Sequence, residues 1–183
     1  MPYQRRHAAR SLAFPTRLAA TRLVLLLRID LGGIAKGYAV DRAIEVLCLH
    51  GSSSCVVNAG GDIRVAGDEP ERITLGAHWT ERCAALELSN GSVASSSSER
   101  LRGPADGEQG RGAHVHGARR SPVAAGRFAC VLAECCIVAD ALTKIVLAEA
   151  RDSSEILKSF GAAAHFHEAF AGWLHFGAEM EAA

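Results

Sequence analysis

The segment over residues 30–41, with the sequence DLGGIAKGYAVD, most constrains how this chain folds, because two adjacent glycines join two kinds of secondary structure. The apolar run Leu23–Ile29 predicts a β-strand, and apolar residues at helical spacing predict a helix over Ile34–Leu49. A tight turn between them exposes backbone N–H groups at the positive end of the helix dipole, which suits a phosphate group, and Lys36 adds a charge. The spacing alone also fits a structural turn with a solvated lysine, since it matches neither common nucleotide-binding glycine pattern.

A second pair of glycines lies within residues 57–64, with the sequence VNAGGDIR, between two short extended segments. Those segments, Cys55–Asn58 and Asp62–Val65, are predicted to be strands. Paired glycines let another group approach the backbone closely, and that group is either a ligand or a neighbouring turn. Taken alone, the pattern favours a simple hairpin with an exposed Asp62.

Residues 136–150 predict a helix that is apolar around its whole circumference and therefore buried on several sides. Burying Asp140 there is costly unless the carboxylate is paired or bound to a metal. Asp140, Thr143 and Lys144 share one face of this helix. Carboxylate and hydroxyl oxygens suit Mg²⁺, whereas the competing interpretation is an ion pair between Asp140 and Lys144 at the helix surface.

The rest of the chain mixes short strands with one more helix, which favours an α+β fold. Asn90-Gly91 is a typical hairpin turn. A third helix is predicted over Glu155–Phe160, with Ser153 or Ser154 as its N-cap. Further strands are predicted over Ile73–His78, Ala84–Leu88, Ala113–His116 and Phe128–Leu132, the last two paired with each other, and two more within Ala162–Phe176.

The composition excludes some classes of function but does not identify one. The 183 residues carry 20 basic and 20 acidic side chains, so charge gives no reason to expect a nucleic acid partner. No apolar run is long enough for a membrane span. Only 5% of the residues are aromatic, so we expect modest stability or help from a ligand or partner, a homo-oligomer included.

The six cysteines include no C-x-x-C pair, and most lie in apolar runs. Reduced, buried thiols are therefore expected, and with no signal peptide evident the prediction is a cytoplasmic protein.

Two histidine pairs, His114 with His116 and His165 with His167, alternate along predicted strands and so share a face. Such pairs can bind a transition metal, but no third ligand follows from the spacing, and most are solvent-facing. The serines over 95–98 have no recognisable base partner, which argues against a serine hydrolase.

Read in order, DLGGIAKGYAVD at 30–41, VNAGGDIRVAG at 57–67 and ADALTK at 139–144 resemble the ApbE family of flavin transferases. VASS at 93–96 is similar to the family's Ala-Thr-Ser-Gly segment, and His114-Val115 sits where the family has His-Ile.

The resemblance covers about residues 23–178 and implies an ApbE-like, T-fold-like α+β domain with a mixed, mainly antiparallel sheet and packed helices. It corresponds to the C-terminal portion of the family fold, so the chain is expected to be N-terminally truncated. Residues 1–22 are predicted to be a basic arm, either a frayed helix or disordered, and residues 179–183 a tail.

Family members transfer FMN from FAD to a threonine hydroxyl of a target flavoprotein, release AMP and require Mg²⁺. The resemblance implies the same substrate, metal and partner here. It also implies a role for each matching residue: FAD contacts by Asp30, Lys36 and Val115, Mg²⁺ ligands from the Gly33 carbonyl, Asp140 and Thr143, and a general base at His114.

The sequence departs from the family pattern near the expected site. The family's Asp-Pro-x-Thr-Gly segment is replaced by residues 116–122, and Ser97 replaces a glycine. Many relatives place a threonine four residues after the helix aspartate, where this chain has Lys144. The alternative interpretations are therefore a catalytically impaired FAD- or nucleotide-binding remnant, a truncated fragment of the family fold, or a structural interaction domain.

Overall fold

The computed structural model describes residues 30–76, 84–98, 100–101, 111–112, 114–168 and 171–179. The strand predicted over Leu23–Ile29, the basic arm before it and the end of the tail lie outside the described residues.

Three α-helices and ten strands make up the described part of the chain. The helices are α1 (Ala35–Leu49), α2 (Cys136–Glu149) and α3 (Ser154–Ser159), and a 3-10 turn (Ala150–Ser153) joins the last two. The strands are β1 (Cys55–Ala59), β2 (Asp62–Ala66), β3 (Glu71–Leu75), β4 (Ala84–Leu88), β5 (Gly91–Ser97), β6 (Arg100–Leu101), β7 (Arg111–Gly112), β8 (Arg127–Ala133), β9 (Ala163–Glu168) and β10 (Gly172–Gly177).

The main sheet has six strands in the order β1-β2-β5-β8-β9-β10, and every neighbouring pair is antiparallel. Two small ribbons, β3–β4 and β6–β7, complete the described sheets. The prediction of an α+β fold with a mainly antiparallel sheet and packed helices is confirmed.

The second glycine pair forms the hairpin between β1 and β2, as predicted. Gly60 and Gly61 have φ values of +65° and +96°, a conformation that glycine adopts without steric cost. Ala59 pairs with Asp62 across the hairpin. This tight connection brings Asp62 to the start of a strand that lies inside the sheet.

Helix α2 packs on one face of the sheet against β5 and β8 and also contacts α1. Its burial on several sides is confirmed. The core on this face consists mainly of small and branched side chains, which include Ala94, Ala129, Val131, Ala139, Leu142, Val146, Leu157 and Phe166.

Charged side chains from neighbouring elements hold both ends of α2. At the N-terminus, Asp41 of α1 accepts hydrogen bonds from the backbone nitrogens of Cys136 and Ile137, each at 2.9 Å. At the C-terminus, the guanidinium of Arg127 donates to the carbonyl oxygen of Leu147 at 3.0 Å. Side chains of opposite charge thus complement the two poles of the helix dipole.

The other face of the sheet carries a second core, which the β3–β4 ribbon covers. Its buried members are Val65, Leu75, Leu88, Val93, Phe128, Cys130 and Leu132. A cavity of about 220 Å³ lies between the ribbon and the sheet, with Asn58, Gly61 and Ser95 among its polar lining.

The hairpin predicted at Asn90-Gly91 is wrong. Strand β4 pairs with β3, whereas β5 pairs with β2 and β8. Asn90 has a φ of +45° and donates its backbone N–H to the carbonyl oxygen of Gly67. The dipeptide therefore redirects the chain from the ribbon into the main sheet.

The predicted pairing of Ala113–His116 with Phe128–Leu132 is also wrong. Strand β8 lies between β5 and β9, and Val115 makes an isolated bridge with Pro122 instead. Because Phe128–Leu132 lies within β8, an inner strand of the sheet, its two edges already pair with β5 and β9 and are not available to Ala113–His116.

The third helix is present, but neither serine caps it with a side-chain hydrogen bond. Ser153 stands at the N-cap position, and its hydroxyl donates to the carbonyl oxygen of Ala150 in the preceding turn. The hydroxyl thus stabilises the 3-10 turn and does not cap α3.

The five described cysteines are free thiols. Cys130 and Cys136 are buried as expected, whereas Cys48 is exposed. Burial, with smaller contributions from the charges of nearby aspartates, raises the pKa of Cys136 to about 12, so this thiol stays protonated and unreactive at neutral pH. No helix in the described ranges is long and apolar enough to cross a membrane.

Candidate functional site

The first glycine turn meets α2 because Gly37 allows two helix backbones to touch. A Cβ atom at this position would lie 2.4 Å from the carbonyl oxygen of Cys136, closer than any side chain permits. The backbone N–H of Gly37 donates to Oδ2 of Asp140 at 3.1 Å. Segments that are 103 residues apart along the chain are thereby joined into one site.

Lys144 pairs with Asp140 at the centre of this site. Its ammonium group donates to Oδ1 of Asp140, to the carbonyl oxygen of Asp140 at 3.1 Å and to Oγ1 of Thr143 at 2.9 Å. The hydroxyl of Thr143 donates to the carbonyl oxygen of Asp140 at 2.7 Å. Oγ of Ser96, on β5, lies 2.9 Å from Oγ1 of Thr143. The expected ion pair is present, but Asp140 is fully buried rather than at the helix surface.

Gly33 lies beside the Lys144 side chain. A Cβ atom on Gly33 would lie 3.4 Å from Cε of Lys144, an ordinary van der Waals contact. The three residues predicted as metal ligands, Gly33, Asp140 and Thr143, are therefore brought together, and Lys144 lies among them.

The residues in this arrangement do not fit a Mg²⁺ ion. Both carboxylate oxygens of Asp140 already accept hydrogen bonds, one from Lys144 and the other from Gly37. The Thr143 oxygen also accepts from Lys144. Among the described residues, no group of three or more His, Cys, Asp or Glu side chains is placed to hold a metal.

Burial raises the pKa of Asp140, but the hydrogen bonds from Lys144 and Gly37 outweigh burial and hold that pKa below its ordinary value. The carboxylate is therefore ionised at neutral pH. A buried negative charge of this kind requires a cation, which Lys144 supplies.

Asp62 and Lys36 form a second ion pair beside the first, between a buried carboxylate and a partly exposed lysine. Nζ of Lys36 donates to Oδ2 of Asp62 at 2.7 Å. The prediction of an exposed Asp62 is wrong: the residue is fully buried, and its other oxygen has no hydrogen-bond partner among the described residues. Burial raises its pKa above the ordinary value, against the effect of Lys36. The β1–β2 hairpin turns this carboxylate inward towards α1.

His114, the predicted general base, is half-buried near Lys144. Burial and then the positive charge of Lys144 lower its pKa, while a hydrogen bond with the Ser97 backbone acts in the opposite direction. The imidazole is therefore neutral at pH 7 and able to accept a proton.

The other two predicted FAD contacts lie at the surface. The exposed carboxylate of Asp30 accepts the backbone N–H of Gly32 at 2.8 Å, which fixes the glycine turn itself. Val115 is exposed, next to its bridge with Pro122.

The histidine pairs do not converge on a shared metal. Nε2 of His116 lies 2.7 Å from a carboxylate oxygen of Glu149. His165 packs against His175 with ring centroids 4.4 Å apart, and His167 packs against Trp173.

Sequence reasoning missed three further residues that build the site. Asp41 accepts hydrogen bonds from α2 and from Arg64, whose Nη1 lies 2.6 Å from Oδ1 of Asp41. Ser96 contacts Thr143 from the sheet. Asp41 ends the DLGGIAKGYAVD segment four residues after Gly37, so helical spacing already placed the two on one face.

The chain belongs to the ApbE family, whose model matches residues 7–166. No curated protein matches the chain at a significant level.

The solved structures that share the fold include three ApbE proteins. The ApbE protein from Thermotoga maritima MSB8 is 26% identical, with a TM-score of 0.66, and the match covers 83% of this chain and 52% of that one. The flavinyl transferase ApbE from Pseudomonas stutzeri is 21% identical, with a TM-score of 0.66 over 83% and 50% of the two chains. The flavin transferase ApbE from Vibrio cholerae is 21% identical, with a TM-score of 0.62 over 82% and 50%. The chain thus spans about half the length of these relatives.

Proposed function

We propose that this chain binds FAD at the glycine turn over residues 30–33 and transfers FMN to a threonine hydroxyl of a target flavoprotein, with release of AMP. The observation that carries the proposal is the convergence of this turn with two lysine ammonium groups, Lys36 and Lys144. The positive end of a helix dipole and nearby positive charges favour the binding of a diphosphate.

In the proposed reaction, the threonine oxygen forms a bond to the phosphorus of the FMN half of FAD. The bond from that phosphorus to the bridging oxygen breaks, and AMP leaves with the electron pair. The neutral imidazole of His114 accepts the threonine proton. Lys36 offsets the negative charge that develops on the phosphate oxygens, because its side chain is 46% exposed and within reach of a ligand.

The family resemblance also implies Mg²⁺, but the oxygens of Asp140 and Thr143 are bonded to Lys144. Mg²⁺ dependence is thus implied by the resemblance alone and is not part of this proposal, and no step of the reaction is assigned to the ion. The acceptor threonine, the domain limits, a homo-oligomer and a cytoplasmic location stay predictions.

The test is to incubate the full chain with FAD and a target domain that carries an acceptor threonine, and to measure covalent flavin fluorescence together with AMP release. The wild-type chain is expected to label the target, and His114→Gln to reduce the rate by about 100-fold, the usual contribution of a general base. A target in which the threonine is replaced by valine is the negative control. If the wild-type chain leaves the target unlabelled, transfer is not its activity.

A second candidate is an FAD-binding protein without transferase activity. It is favoured by the site itself, where Lys144 donates to oxygens of Asp140 and Thr143 that the family resemblance implies as Mg²⁺ ligands. Tight FAD binding without AMP release in the same experiment would support this candidate over transfer.

A further inference from the structure

The ammonium group of Lys144 is bound by three oxygen atoms of α2. The partners are Oδ1 and the carbonyl oxygen of Asp140, and Oγ1 of Thr143. An ammonium group has three protons to donate, so this set of oxygens satisfies all of them. The group is coordinated by the protein as a bound cation would be.

The aliphatic part of the Lys144 side chain runs past Gly33. Three of its carbon atoms, Cγ, Cδ and Cε, lie within 3.4–3.7 Å of the position of a Cβ on Gly33. Ser96 supports Thr143 from β5 at 2.9 Å. The ammonium therefore sits in a preformed site, not at the end of a freely rotating surface side chain.

We propose that the ammonium group of Lys144 is the resident cation of this site, that it excludes a divalent metal from Asp140 and Thr143, and that the chain binds its dinucleotide without Mg²⁺. The exclusion of the metal rests on the Lys144 contacts alone. The statement about the dinucleotide rests on the proposed function.

Two physical reasons support exclusion. A divalent ion could reach the Asp140 carboxylate only by displacing Lys144, which is tethered to the same helix four residues away and so returns at high effective concentration. Mg²⁺ also gives up its water ligands reluctantly and gains little from oxygens that already accept other protons. The lysine is therefore the stronger competitor at this position.

The first experiment measures the thermal midpoint of metal-stripped full-length protein with and without Mg²⁺. The wild-type midpoint is expected to stay unchanged. Lys144→Ala opens the position, so its midpoint should rise by about 3–5 °C when Mg²⁺ is about tenfold above its dissociation constant. Lys144→Arg retains the charge and should not respond. Lys158→Ala, which removes an exposed lysine from an ion pair on α3, is the matched control and should behave like wild type.

The second experiment measures FAD affinity from the quenching of flavin fluorescence, in EDTA and in Mg²⁺. Wild-type affinity is expected to agree within about twofold between the two buffers, whereas Lys144→Ala should bind about 10-fold more weakly in EDTA and recover in Mg²⁺.

A wild-type midpoint that rises with Mg²⁺ would overturn the exclusion, as would wild-type FAD binding that is lost in EDTA and restored by Mg²⁺. FAD binding that depends on Mg²⁺ would still agree with the proposed function. Failure to bind FAD in either buffer would instead refute the proposed function and the dinucleotide part of this inference, and the thermal midpoint would still decide the role of Lys144. If Lys144→Ala does not fold, the thermal midpoints of the wild-type and Lys144→Arg proteins with and without Mg²⁺ still test whether Lys144 excludes the metal.

Discussion

Oδ1 of Asp41 lies 2.9 Å from the backbone nitrogen of Cys136, so a carboxylate on α1 caps the first turn of α2. The second oxygen of Asp41 accepts the next backbone N–H at the same distance. Capping usually comes from a residue adjacent to the helix; here it comes from 95 residues away. The contact ties the glycine turn to the helix that carries Asp140.

The first prediction concerns this cap. Asp41→Ala leaves two N–H groups of α2 and the guanidinium of Arg64 without their carboxylate, so we expect the free energy of unfolding to fall by about 2 kcal/mol. Urea denaturation followed by circular dichroism measures the change. Glu45→Ala removes a carboxylate from an exposed pair with Arg42 on the same helix and should cost less than about 0.5 kcal/mol. Equal losses in the two variants would contradict the capping role.

The second prediction concerns the contact between the helices. Gly37→Ala places a Cβ atom against the carbonyl oxygen of Cys136 and should lower the free energy of unfolding by about 1–3 kcal/mol. FAD affinity should fall as well, because the contact positions the turn. Gly117→Ala is the matched control, since its Cβ would meet no atom within 4 Å. A fully stable Gly37→Ala protein would show that α1 and α2 do not need this close approach.

The third prediction concerns pH. Burial, and then the charge of His175, lower the pKa of His165 in the folded protein. The unfolded chain therefore binds the proton more readily, and stability should fall as pH decreases below about 6.5. His114 has a shift of the same sign, so His165→Phe should reduce the slope of stability against pH without removing it.

The free energy of unfolding at a series of pH values measures this slope. His50→Gln, at an exposed position at the end of α1, should leave the slope unchanged. A slope that stays the same in His165→Phe, or that becomes steeper, would argue against this assignment.

The fourth prediction concerns the ligand. Lys36→Ala removes the more exposed of the two ammonium groups, so FAD should bind about 10-fold more weakly, the usual effect of losing one charge-assisted contact. Flavin fluorescence quenching measures the affinity, and Lys158→Ala serves as the control. Circular dichroism checks that Lys36→Ala is folded, because Asp62 loses its partner in this variant. Unchanged FAD affinity in folded Lys36→Ala protein would remove Lys36 from the binding site.

Local patterns predicted the helices, the glycine turn and the β1–β2 hairpin well, because each depends on residues close in sequence. The prediction of a hairpin at Asn90-Gly91 was wrong because it also used only residues close in sequence. The local turn signal is strong, but β5 pairs with β2, which precedes the β3–β4 ribbon in the chain. Asp62 looked exposed because its partner, Lys36, is 26 residues away. Contacts of this kind depend on topology, which spacing does not reveal.

The sequence motifs identified some of the residues that meet at this site, but they gave no role to Asp41, Arg64 or Ser96. Gly33, Asp140 and Thr143 do come together, as the order of the motifs implied. The position of the Lys144 ammonium among them was not predicted, since an i,i+4 pair on a helix is usually a surface feature.

The peptide unit between Cys136 and Ile137 presses its carbonyl against Gly37 and gives its N–H to Asp41. The contacts of this one peptide unit thus fix how α1 and α2 are positioned along and around each other. Removing or adding one residue between Gly37 and Asp41 would rotate one of them by about 100° relative to the other. We therefore expect such a deletion or insertion to abolish the site, whereas the same change in the loop over residues 52–54 should be tolerated.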